Sequence, residues 1–560
     1  MQSTFDFEER ADQLSLDDIK STMVDAEIFR SAKRKLLARG AKLLVGPRGT
    51  GKTHLMRFTY AAATKDNAQP LVLYANFNRY LTLEPLLSTA SDAIQRFHAW
   101  VLAKLLIAAG EHCGALGIDL EKLALPAPLE TLRGLIGQLE KGSGHREYEA
   151  TGRLLTIDST ISSLERLRML AMRERTVLLL DDAALTLADK YLEEFFRLFR
   201  QLKTETVSPK ASVYPGSTQY GPTFHASHEV ESIQLWISIA DPNYSSLMGE
   251  IADKRIGQSE KKNTEVVEVL KFMAFGVPRA FLRLLRDYSA ATGTVQQRLN
   301  TTIEGHTTLI TQEYASLGLK LPQFKSIIDS GKRLFDKSAI ALREARQQDS
   351  KRQGRHVIIG IREPEAAGPL ADRMMKFLIE VGMLYPLPTV SHGQDRKYGR
   401  YILHLAFLYQ NGALRTGRGT SFKEIVDYLG LSDSKHPVRR EVATLLTAAE
   451  VAAIKLDLPP CQSCGASRLN DSQRYCHNCG KQLLDGSLFE QCIQLPLSAL
   501  PGISEALLAR INQETKIRTV GDVYSSQNPS GDLQQALYIG EKRAQRIINK
   551  VAIVVDEFLS

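Results

Sequence analysis

Gly46-Pro47-Arg48-Gly49-Thr50-Gly51-Lys52-Thr53 follows an apolar run at residues 41–45 and leads into a stretch of helical periodicity. Its glycines let successive backbone N–H groups turn inward around an anion, and the helix that starts at its end adds a positive dipole. The eight residues match GxxxxGK[ST], in which Lys52 reaches the β- and γ-phosphates of a nucleotide and the Thr53 hydroxyl ligates Mg²⁺. Gly46 to Thr53 are therefore the candidate cofactor-binding residues. A glycine-rich turn arising by chance is the alternative, and the strand–loop–helix context argues against it.

Working outward, Val177-Leu178-Leu179-Leu180-Asp181-Asp182 reads as a strand buried on both faces that delivers two carboxylates at its C-terminal end. This is a Walker B pattern to accompany the Walker A loop. Asp181 is placed to hold Mg²⁺ through water, and Asp182 to polarise the attacking water. A buried strand ending in a capping Asp pair is the competing reading. Further strands are expected at 70–75, 211–214 and 232–239, with a helical stretch between 81 and 172. Strands alternating with helices argue for a parallel α/β sheet. At 213–218, Val-Tyr-Pro-Gly-Ser-Thr puts hydroxyls at a strand end, so Thr218 is a candidate γ-phosphate contact, with a plain Ser/Thr turn as the alternative. Gly276-Val277-Pro278-Arg279 opens an amphipathic helix. Arg279 can fold over a nucleotide from there, or serve as a solvated helix-terminal arginine. No NKxD guanine signature and no LSGGQ run occurs.

This order of Walker A, helical insertion, Asp-Asp Walker B, polar strand end and a helix opened by GxPR resembles the AAA+ superfamily. It is most similar to the branch of origin-recognition-complex-like initiators, with the STAND signalling ATPases close. The resemblance covers roughly residues 20–290. It implies ATP bound between an α/β P-loop sheet domain and a helical lid, and a winged-helix DNA-binding domain beyond. The sequence places no arginine finger; Arg197, Arg200 and Arg255 are the candidates.

Residues 331–440 hold 20 Lys and Arg against 11 Asp and Glu, an excess of nine in a chain whose net charge is +8. Within this segment a helix at 374–381, a run at 384–390, a polar turn and a run at 396–407 follow a helix–strand–turn–strand order similar to a winged helix. Arg396, Lys397 and Arg400, interleaved with Tyr398 and Tyr401, suit phosphate and groove contact. A charged protein-facing surface is the alternative. Cys461, Cys464, Cys476 and Cys479 form C-x2-C-x11-C-x2-C, four thiolates able to close a tetrahedral shell around a structural Zn²⁺. The segment looks like a zinc ribbon, while Cys113 and Cys492 have no partners in sequence. Two glycine turns, at Gly502 and Gly540, each lead into a helix. The pair resembles a tandem helix-hairpin-helix domain, whose backbone N–H groups meet DNA phosphate. Lys542 and Arg543 add charge to the second. Residues 486–560 nonetheless hold seven basic against eight acidic residues, which leaves a protein-docking module as the alternative.

The composition is that of a globular protein, 43% hydrophobic and 24% charged. No secretory signal is visible at the N-terminus, no run of about 18–20 uncharged apolar residues stands out, and six cysteines do not make a disulfide framework. A cytoplasmic location is expected. The expected domains are 1–245 (ATPase core with helical insertion), 246–330 (lid), 331–457 (basic winged-helix-like domain), 458–485 (ribbon) and 486–560 (hairpins). The reading these features carry is a DNA-binding AAA+ ATPase, an ATP-switched loader or sensor. It would recruit a helicase or nuclease, with homo-oligomers possible and phage defence, mobile-element maintenance or replication as settings. The alternative is a STAND-like scaffold that binds protein rather than DNA.

Overall fold

The computed structural model describes residues 7–559 apart from 78–82, 84–91, 141–148, 183–188, 219, 221–223, 257–263, 349–353, 363–367, 392–395, 415–418, 434–437, 459, 462, 470–472, 474, 482, 484–493, 501–502, 504, 525 and 527. Five parallel strands form the first sheet: β1 (Lys42–Val45), β2 (Leu71–Asn76), β3 (Thr176–Asp181), β4 (Val207–Val213) and β5 (Glu231–Gln234), in the order β2-β3-β4-β1-β5. Alternate residues of a strand point to opposite faces, and here both faces are buried. Leu43, Leu71, Leu73, Leu178 and Leu180 join one core, whereas Leu44, Val72, Val177 and Leu179 join the other. Both faces being covered is what a parallel sheet requires.

Two strands differ from the sequence expectation. β4 starts earlier than 211, through Ser208-Pro209-Lys210, which reads as a turn in sequence. Pro209 sits one residue before the pairing with β1 begins at Lys42↔Lys210, so the ladder to β1 loses no donor there. β5 ends at Gln234 rather than 239. The apolar Leu235, Trp236, Ile237 and Ile239 leave the sheet and pack into the core beneath the lid.

One face is covered by a helical insertion comprising Ala93–Leu116, Leu129–Leu139, Glu149–Leu154 and Ile157–Leu170. Ala93–Leu116 is long and apolar enough to cross a bilayer by length and composition, although Arg96, Lys104 and Glu111 interrupt it, so it is not an uncharged run. Its Phe97, Trp100, Val101, Leu105 and Leu106 are buried against the sheet and neighbouring helices, and Lys104 pairs with Glu140 at 2.9 Å. The opposite face carries Glu27–Leu37 and the lid helices Tyr244–Ile256, Thr264–Met273 and Pro278–Ala290, followed by Val295–Lys320. The expected boundary at 330/331 falls within one unbroken helix, Lys325–Gln348, and the lid and the basic segment share a hydrophobic core.

The basic segment forms a second sheet of β6 (Ile358–Arg362), β7 (Leu384–Ser391), β8 (Lys397–Leu403) and β9 (Val438–Arg440), in the order β7-β8-β6-β9. Helix Gly368–Glu380 precedes β7, and β7 and β8 pair antiparallel. The turn at 392–395 lies outside the described residues. Beyond the cysteine segment the described residues include the helices Glu505–Glu514, Val520–Tyr524, Pro529–Gln534 and Glu541–Leu559. Gly502 lies outside the described residues. At the second turn Tyr538 takes a left-handed backbone, φ 67°, and is 72% exposed.

Candidate nucleotide site and cysteine cluster

The Gly46–Thr53 loop joins β1 to helix Lys52–Thr64, so its N–H groups gather at a helix N-terminus. Gly49 (φ 81°) is where the lid closes. A Cβ there would lie 2.9 Å from Val277 Cγ1 and 3.0 Å from Arg279 Cβ, and the Arg279 N–H donates to Gly49 O at 3.4 Å. Lys52 Nζ donates to Gly46 O at 2.6 Å and Pro47 O at 3.0 Å, and the Thr50 hydroxyl donates to Pro47 O at 3.0 Å.

Because β4 lies between β1 and β3, its end projects between the loop and the acidic pair. Asp181 is fully buried. Its carboxylate accepts from the Tyr74 hydroxyl and the Ser212 hydroxyl, each at 2.9 Å. Asp182 turns out of the strand with φ 53°, and its N–H donates to Ser212 Oγ at 2.8 Å. A non-glycine residue in this region is strained and is held there by its surroundings. Burial depresses the Lys52 ammonium to about 7, against the opposing pull of Asp182 and Asp181. Burial likewise pushes the Asp182 carboxyl up to about 7, with Asp181 adding to the rise.

Thr218 does not reach this centre. It is buried, and its oxygen accepts the Tyr214 N–H at 3.0 Å, closing its own turn. Tyr214 stands in its place. The ring lies 4.1 Å from Lys52 Nζ and 5.5 Å from the Arg48 guanidinium carbon, and the hydroxyl donates to Asp182 Oδ1 at 3.4 Å. The sequence showed Tyr214 as a strand-end residue; the signal available was an aromatic ending the strand beside the P-loop strand.

A cavity of about 290 Å³ opens from this centre, lined by Arg48 to Leu55, Asp182, Tyr214, Arg255, Pro278, Arg279, Leu282 and Arg283, and by N-terminal residues including Glu9, Asp12, Val24 and Phe29. Glu9 is bound by Arg283 and Arg286, and Asp12 by Arg10. Among the described residues no carboxylate forms an ion pair with Arg48, Arg255 or Arg279. Burial and the adjacent Arg283 depress the Arg279 pKa. Arg255, a candidate finger for a neighbouring subunit, instead faces its own chain's cavity and donates to Glu8 O. Arg197 is half-exposed and pairs with Glu194 at 3.0 Å.

The four cysteines of the repeated spacing come together. Cys461 and Cys479 sulfurs lie 3.5 Å apart, as do those of Cys464 and Cys476, and all four lie within 4.8 Å of one another. A disulfide needs about 2.05 Å, whereas tetrahedral zinc thiolates place sulfurs roughly 3.8 Å apart. Each knuckle closes identically: the Gly465 N–H donates to Cys461 O and the Gly480 N–H to Cys476 O. The donor set fits a metal ion. His477 is exposed beside it, and Cys113 is buried in the core under the helical insertion. Cys492 lies outside the described residues.

The basic residues are placed by register. Gly360 faces Arg400 on one side and Arg439 on the other, and Arg362 faces Tyr398. Register partners share a face, so Arg362, Tyr398, Arg400 and Arg439 form one basic–aromatic surface with a glycine at its centre. Lys397 alternates to the opposite face, and Arg396 is exposed just before β8. Gly540, Lys542 and Arg543 are exposed at the second hairpin.

No protein-family model matches the chain, and no curated protein matches it. Among solved structures the chain is similar to the Walker-type ATPase PABY2304 of Pyrococcus abyssi, at 13% identity and a TM-score of 0.38, over 73% of this chain and 99% of that one. The strand order, the loop joining β1 to its helix and the two carboxylates ending β3 make this domain an α/β P-loop fold.

Proposed function

We propose that the chain is a DNA-linked AAA+ ATPase, in which ATP binding and hydrolysis switch the grip of the C-terminal domains. The observation that carries the nucleotide half is the cavity. P-loop N–H groups, Lys52 and three arginines that form no direct ion pair with a carboxylate among the described residues surround one space, with Asp182 at its wall. That concentration of cations, Lys52 buried and the arginines half-buried, suits a polyphosphate. Val24, Phe29, Ile251 and Leu282 give the same cavity an apolar portion suited to a base. Thr53 and Asp181 would hold Mg²⁺, which neutralises charge on the β- and γ-phosphates when bound. Lys52 and Arg279 bind and orient the phosphates, and Tyr214 covers Lys52. Asp182, at the end of β3 with its carboxylate on the cavity wall, orients the attacking water. Turnover of Mg–ATP, measured with and without duplex DNA, tests this; no turnover in either condition excludes it.

The DNA half rests on the face of Arg362, Tyr398, Arg400 and Arg439, since helix Gly368–Glu380 packs onto the ATPase domain. The triple variant Arg396→Glu, Arg400→Glu, Arg439→Glu should weaken binding to all duplex sequences alike. It should flatten the salt dependence by about 0.9 in slope for each phosphate that is no longer neutralised. An unchanged salt titration would move the DNA-binding surface to the hairpins, where Gly540, Lys542 and Arg543 are exposed. The packing of that helix onto the nucleotide domain also favours a second reading, a STAND-like scaffold. Absence of any salt-sensitive DNA binding would select it.

The four-cysteine cluster is proposed to be a structural zinc ribbon, with all four positions of the shell taken by protein. Metal analysis should find about one zinc per chain. Cys464→Ser should release it and unfold residues near the cluster while leaving nucleotide affinity unchanged, because the cluster shares no core with the P-loop domain. Protein purified without chelators and free of zinc would refute the ribbon.

A further inference from the structure

The turn that carries Tyr214 is held from behind by the basic domain. Glu380, the last residue of helix Gly368–Glu380, is only 4% exposed. Its Oε2 accepts the N–H groups of Gly216 at 2.8 Å and Ser217 at 2.5 Å, and its Oε1 accepts the Ser217 hydroxyl at 2.8 Å. A Cβ on Gly216 would lie 2.8 Å from Glu380 Oε2 and 2.8 Å from Phe377 Cδ1, so turn and helix end are in direct contact. From the same helix Arg373 donates to Ser217 O at 3.4 Å.

A carboxylate this buried is costly unless its lone pairs are engaged. Three hydrogen bonds to a charged acceptor are individually strong, roughly twice a neutral pair. All three end on one short turn, 163 and 164 residues away in sequence. That turn has one outlet toward the nucleotide site: Tyr214, with its ring over Lys52 and its hydroxyl on Asp182.

We propose that Glu380 is a positioning residue for hydrolysis. By locking residues 214–218 it sets Tyr214 against Lys52 and Asp182, and it makes the seating of the basic domain part of the nucleotide site. The proposal rests on the ATPase reading above. Displacing helix Gly368–Glu380 frees the turn, and by reciprocity a nucleotide that moves Tyr214 alters the seating of the helix.

The test is a double-mutant cycle in the full chain. Glu380→Ala and Tyr214→Phe should each lower kcat about tenfold, while the affinity for a fluorescent ATP analogue changes less than about twofold. Because Glu380 acts through Tyr214, the double variant should also lose about tenfold rather than a hundredfold. Glu380→Gln, nearly isosteric and still carrying one acceptor oxygen, should recover part of the rate, and it serves if the alanine variant does not fold. A Glu380→Ala rate equal to that of the unaltered chain, additive losses in the double variant, or equal loss of nucleotide affinity and rate would each overturn the positioning role. No turnover in the unaltered chain would instead overturn the hydrolysis reading, and the role of Glu380 with it.

Discussion

Lys52→Ala should reduce ATP affinity at least a hundredfold and abolish turnover. The ammonium is the one cation carried at the start of the P-loop helix itself, and it bonds the loop's own carbonyls at Gly46 and Pro47. Its removal therefore takes away a phosphate partner and a strut of the loop at once. Charge-assisted hydrogen bonds to phosphate contribute about 1.5–3 kcal/mol each, and removing two together accounts for the expected size. Asp182→Asn should behave differently, keeping ATP affinity while slowing turnover by about a hundredfold or more, since only the negative charge beside the water is lost. Fluorescent-nucleotide titration separates binding from turnover for both variants. Loss of ATP binding in Asp182→Asn, or unchanged turnover in it, would remove Asp182 from the catalytic role.

Gly276→Ala should be the most damaging single substitution in the lid. Gly276 has φ 77°, and a Cβ there would lie 1.9 Å from the backbone oxygen of Ile237. That atom cannot rotate away as a side chain can, so the segment after β5 or the start of helix Pro278–Ala290 must shift. The left-handed backbone alone costs an alanine about 1–2 kcal/mol, and overpacking adds about 1–3 kcal/mol. Gly40→Ala supplies the comparison: its φ is 86°, but nothing lies within 4 Å, so only the backbone cost applies. Trp236, whose indole N–H donates to Phe275 O at 2.8 Å, reports on the strained region. In urea titrations followed by tryptophan fluorescence, Gly276→Ala should unfold at clearly lower denaturant than Gly40→Ala. Equal midpoints would mean that the Ile237 segment yields freely and that the lid is not seated through Gly276.

These expectations show which features a local pattern could carry. The P-loop, the carboxylates of β3 and the paired cysteine knuckles were legible because each is a short run whose chemistry depends on spacing along the chain. Eight consecutive residues make the anion nest, and two CxxC turns make the two halves of a thiolate shell. The β1, β2 and β3 strands were legible for the same reason, as apolar runs bounded by turn residues. β4 was not read in full because Ser208-Pro209-Lys210 has the local chemistry of a turn. Its place as a strand depends on which residues face β1 and where that pairing starts.

The amino-acid order by itself determined that this chain has a P-loop sheet domain and a four-cysteine cluster, and which residues make them. Only the tertiary structure decided that Tyr214 rather than Thr218 faces Lys52, that Arg255 lines its own chain's cavity, and that Arg439 and Arg400 flank Gly360 on one face. It alone placed Glu380 behind the Tyr214 turn. Each of these is a meeting of residues far apart in the chain, brought together by strand order, register or domain packing. Such meetings follow from how whole elements bury their apolar faces, and that information is spread over the chain rather than written at either residue.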